Sequence, residues 1–179
     1  MFESQKDRAK FLEFVAGGAK LNAHLDHPVI LYAKILKPVP TFGEHELGKA
    51  AIVLPVKNQE DKEMMGVLIS KLGEDGYVED GVALVSESYV THCDSQEEME
   101  EVSEIEPSER PNTISAITVH FMSSKGDEFY YLPIYDNDGI KTFAKKWNYM
   151  GSDKSMGGRF FGLLKKSAFK SLLTNSLYH

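Results

Sequence analysis

Two imidazoles three residues apart open the search for chemistry. In His24-Leu25-Asp26-His27 the spacing sets His24 and His27 on one helical turn, where zinc or iron takes ligands. His45, between Glu44 and Glu46, is a third ligand if its loop folds back. The competing role for His24 and His27 is to meet the carbonyls and dipole of a helix end, which needs no third ligand. His92 and Cys93 are neighbours on an apolar, β-branched run. Strand alternation sends them to opposite faces, so they do not form a nucleophile–base pair, and His120 is the distant histidine that would have to serve Cys93. Glu87 sits inside the same run, where a carboxylate must face solvent or find a partner. The catalytic reading is therefore a metal-dependent hydrolase using His24, His27, His45 or Glu87. It ranks behind two binding readings, the balance leans away from an enzyme, and no cofactor is implied.

The binding readings come from charge. The chain carries a formal charge of −7, but the sign is divided. Residues 1–140 hold 12 Lys and Arg against 26 Asp and Glu, and residues 141–179 hold 8 against 1. Between Asp94 and Glu109 there are eight carboxylates and no base. Asp94, Glu97, Glu98, Glu100, Glu101 and Glu104 would present an acidic surface to a basic protein partner. The second reading is nucleic-acid binding through Lys145, Lys146, Lys154, Arg159, Lys165, Lys166 and Lys170, joined by Lys141, where cations would neutralise phosphates. Aromatic residues Phe121, Phe129, Tyr130, Tyr131 and Tyr135 have no interleaved base, which weakens a stacking platform.

The elements that must position these residues follow from periodicity. Ser4 caps a helix whose Phe11, Phe14, Val15, Gly18, Leu21 and Leu25 share a face, with Gly17-Gly18 costing about 1 kcal/mol each against alanine. A close approach of another backbone or a kink would account for that pair. Val29–Leu36 reads as a strand covered on both faces and Lys49–Val56 as a second, joined by a long Pro- and Gly-punctuated loop. Asn58 caps a helix, Gln59–Leu72, with Met64, Met65, Leu68, Ile69 and Leu72 as its apolar stripe. Val82–Cys93, Thr113–Met122 and Glu128–Tyr135 are three consecutive strands, the first two separated by the acidic excursion and the last two by a tight turn at Ser124-Lys125-Gly126-Asp127. Within the excursion Ser95-Gln96-Glu97-Glu98 is a capping box, with Met99, Val102 and Ile105 on one face. Ile140–Met150 reads as a short helix burying Phe143, Ala144 and Trp147, and Arg159–Leu173 as a last, basic amphipathic helix.

The resulting order is α-β-β-α-β-β-β-α-α. It predicts a single-domain α+β fold with a mixed, mainly antiparallel sheet of about five strands and helices packed on it. Residues 1–150 form the domain, and 151–179 a basic helix laid on it. No apolar run approaches the length of a membrane span, the start lacks a secretory pattern, and the lone Cys93 suits a reducing cytoplasm. An apolar face on the last helix would serve a homo-oligomer.

Val85-Ser86-Glu87-Ser88-Tyr89, followed by Glu106-Pro107-Ser108-Glu109-Arg110-Pro111 and the strand from Thr113, resembles a pattern of uncharacterised bacterial and bacteriophage proteins. In that pattern a V-S-E-x-aromatic strand precedes an acidic stretch and a P-S-x-x-P turn. The resemblance spans residues 50–135 and departs from the pattern at Tyr89, where tryptophan is usual, and at Thr113 to Ser115. It implies a phage- or mobile-element-encoded protein working in the host cytoplasm, and it carries no activity.

Overall fold

A computed structural model describes residues 2, 4–40, 47–56 and 59–151. Its elements in chain order are α1 (Gln5–Leu21), β1 (Val29–Ile35), β2 (Gly48–Leu54), α2 (Gln59–Glu74), β3 (Val82–Thr91), α3 (Gln96–Ser103), β4 (Thr113–Ser123), β5 (Gly126–Asn137), β6 (Ile140–Phe143) and β7 (Asn148–Gly151). The strands form one seven-stranded sheet in the order β2-β1-β3-β4-β5-β6, with β7 also on β5. Every pairing between these strands is antiparallel. The fold is α+β, as expected, with more strands than the five predicted.

Period-two alternation sorts the strands onto two faces. On one face Leu31, Ala33, Ile35, Leu54, Val82, Leu84 and Met122 are buried with Ile69 and Leu72 of α2. On the other, Ala83, Val85, Ile117, Val119, Phe121, Leu132 and Ile134 are buried with Leu12, Val15 and Ala19 of α1. The α1 stripe differs from expectation: Leu12, Val15 and Ala19 are buried, whereas Phe14, Leu21 and Leu25 are exposed. In α2, Ile69 and Leu72 are buried and Met64 is exposed. β1 is covered on both faces, as expected, but unequally: Leu31, Ala33 and Ile35 are buried on the α2 side, while Ile30 and Tyr32 are half-buried on the α1 side.

The predicted helix over Ile140–Met150 is replaced by two short strands. Asp138 (φ 55°) and Gly139 (φ 83°) both have positive φ, and Asn137 pairs with Ile140 across them. That is the two-residue hairpin turn an Asp-Gly pair favours, and it sends β6 back along β5. The aromatic residues read as a helix face are still half-buried against the α1 side, and Trp147 Nε1 donates to the Leu12 carbonyl at 3.1 Å. The last predicted helix lies outside the described residues. Among those residues no helix is long and apolar enough to cross a membrane.

Candidate functional site

The acidic excursion folds as a variant of the predicted capping box, the returning carboxylate reaching the residue before the N-cap. Ser95 accepts a hydrogen bond from the Glu98 N–H at 3.1 Å, and the Glu98 carboxylate reaches back to the Asp94 N–H at 2.7 Å. These close the start of α3, where negative side chains also meet the positive end of the helix dipole. Val102 turns inward and is buried, while Asp94, Glu97, Glu100, Glu101 and Glu104 are exposed and Glu98 is half-buried. Ile105, just past the helix, is 38% exposed. Arg110 closes the excursion by donating from Nε to the Ile105 carbonyl at 2.7 Å. Asn112 then turns the chain into β4 with a positive φ of 54°.

The sheet does not need this excursion. β3 and β4 are in continuous antiparallel register from Val82↔Met122 to Thr91↔Thr113, and the Thr91 and Thr113 hydroxyls meet at 2.6 Å. A few residues would join such strands. Residues 92–112 instead build a capped helix that carries carboxylates outward.

Glu87 has found the partner its place in the strand demanded. Lys141 Nζ lies 3.0 and 3.2 Å from its two carboxylate oxygens and 3.5 Å from Asp26 Oδ1. The His27 N–H donates to Glu87 at 3.5 Å. Burial works against the Lys141 charge, but the hydrogen bond and field of Glu87 outweigh it and hold the ammonium above its usual range. The cluster thus ties the loop after α1 to β3 and β6, and it withdraws Lys141 from the cations that a phosphate would meet.

His27 borders a cavity of about 300 Å³ between the second half of α1 and strands β1, β3 and β4. Its lining is mainly apolar, with Val15, Ala19, Ile30, Tyr32, Val85 and Ile117 among it, and the polar residues Asn22, Asp26 and His27 also border it. Among the described residues a methyl built at Gly17 or Gly18 would meet nothing within 4 Å, so none of them makes the close backbone approach expected at the glycine pair. Burial lowers the His27 pKa, against an opposing pull from Glu87. His27 Nε2 is buried and has no hydrogen-bond partner among the described residues.

The remaining candidates fall elsewhere. His24 is exposed, His45 lies outside the described residues, and no group of three metal-ligating side chains forms among those described. His120 does not serve Cys93: its Nε2 sits 3.1 Å from Asp127 Oδ2, both residues closed off from solvent. His92 Nε2 pairs with the Tyr131 hydroxyl at 3.2 Å. Lys145 and Lys146 are exposed just before β7, and Lys154, Arg159, Lys165, Lys166 and Lys170 lie outside the described residues. Sequence reasoning missed the cavity and the His120–Asp127 pair. The glycines inside α1 were the one visible sign of the first, and nothing but three-dimensional register brings the second together.

Comparison with protein-family models, with curated proteins and with solved structures finds no match to this chain.

Proposed function

We propose that this chain is a binding protein that engages a basic protein partner through α3 and its flanks, without catalysis of its own. The observation that supports this is the unbroken β3–β4 register: the fold needs no more than a turn there, yet residues 92–112 form a helix armed with exposed carboxylates. Elaborated connections on a rigid scaffold are where recognition concentrates. Complementary charge accelerates encounter and selects partners by sign.

The test is titration of the purified chain with a Lys- and Arg-rich peptide at several salt concentrations. Glu97→Lys, Glu101→Lys and Glu104→Lys together remove binding, whereas reversing the exposed Glu13, Glu74 and Asp75 leaves most of it. Equal losses from both sets would reduce the reading to bulk charge and overturn it.

Nucleic-acid binding through the basic end is the second reading, supported by the exposed Lys145 and Lys146. It predicts salt-dependent retention on duplex DNA that Lys145→Glu with Lys146→Glu weakens.

A further inference from the structure

We infer that α1 pairs with α1 of a second copy of this chain, the two helices running antiparallel about a two-fold axis at Gly17 and Gly18. The helix carries two apolar stripes. Leu12, Val15 and Ala19 make the buried one. Phe14 and Leu21 make another, turned away from the sheet and 61% and 82% exposed. Exposed apolar side chains are ordinary when they stand singly. These two are seven residues apart, which puts them two turns apart on the same side of the helix. The turn between them presents Gly17 and Gly18, so bare backbone lies between two apolar knobs. Each glycine weakens the helix relative to alanine, and among the described residues nothing lies close enough to require one. A turn without side chains lets the axis of a second helix come closer.

The charges beside this stripe choose the occupant. Glu13 and Lys20 are also seven residues apart and exposed, one position before Phe14 and Leu21. Antiparallel pairing centred on the glycines sets Phe14 against Leu21 of the second copy and Glu13 beside its Lys20. Two-fold symmetry then makes each contact twice. A parallel pair would instead bring Glu13 to Glu13 and Lys20 to Lys20. Flanking charges of opposite sign select the direction in which two helices run, and here they select the antiparallel one. One helix therefore holds both halves of the contact, knob against knob and carboxylate against ammonium.

Sedimentation equilibrium of the full chain over a wide range of concentration tests this pairing. The chain passes from monomer to dimer as concentration rises and forms nothing larger, because a two-fold contact closes on itself. Gly17→Leu fills the bare turn and weakens the dimer about tenfold. The same variant unfolds in urea no earlier than the unaltered chain at monomeric concentration, since leucine is the better helix former. Glu13→Lys and Lys20→Glu each weaken the dimer at low salt, and the two together, with the charges exchanged, restore it. A monomer at every concentration would overturn the inference, as would a dimer indifferent to Gly17→Leu. A double variant no tighter than either single one would overturn the antiparallel arrangement.

Discussion

The two connections that flank β4 solve the same problem at very different length. Both join antiparallel neighbours already in register. Between β4 and β5 the chain uses Ser124 and Lys125 alone, Ser123 pairing with Gly126. That turn is tied down: the Ser123 hydroxyl donates to the Gly126 carbonyl at 2.9 Å, and the Ser124 N–H donates to Asp80 at 2.8 Å. Between β3 and β4 the chain spends residues 92–112, and among the α3 side chains described Val102 is buried. The difference separates two uses of a loop. The short connection is part of the sheet's stability, and the long one is a surface the sheet carries.

The comparison predicts a descending series of effects. Gly126 has φ 137°, a conformation strained for any side chain, so Gly126→Val costs about 2 kcal/mol of unfolding free energy. Asp80→Ala removes the acceptor for Ser124 and costs about 1 kcal/mol, because the site is open to water. Urea titration measures both. The same anchor gives the turn a pH dependence. Burial raises the Asp80 pKa, but hydrogen bonds from Ser124 more than offset this and leave it below the usual 3.8. The unfolded chain therefore binds the proton first. The contribution is complete above pH 3.8, fades as pH falls through the lower folded value, and is missing from the acid limb of Asp80→Ala.

On the long connection the effects are smaller and local. Val102→Ala speeds amide exchange over residues 96–103 while β3 and β4 keep their protection. Reversing Glu97, Glu101 and Glu104 changes unfolding free energy by no more than about 0.5 kcal/mol per site, as exposed substitutions do. Lys at 101 and 104 even meets the negative end of the helix dipole. A large loss of stability from these reversals would mean that the excursion is built into the core after all.

How much of this was legible varied with the kind of signal. Local, one-dimensional signals survived: Ser4 accepting from the Asp7 N–H at the head of α1, the capping box of α3, and the alternation of β3, β4 and β5. Where two signals compete, the turn signal overrides the helical spacing. Phe143, Ala144 and Trp147 have helical spacing, but Asp138-Gly139 is a hairpin signal, and hydrogen bonding of β6 to β5 wins. On α1 the spacing alone does not say which apolar residues are buried: Phe14 meets the rings of Phe11 and Tyr32 but lines an open cleft and stays exposed, whereas Leu12 and Ala19 face the sheet. Glu87 was picked out because a strand carboxylate needs an explanation; its partner Lys141, 54 residues on, required the finished topology.

The most direct measurement replaces residues 94–110 with a short turn and follows both folding and binding in the same sample. The account predicts a cooperative melt close to that of the unaltered chain, with retained exchange protection in β3 and β4, and no binding to the Lys- and Arg-rich peptide. An unfolded product, or a folded one that binds the peptide as before, would contradict it.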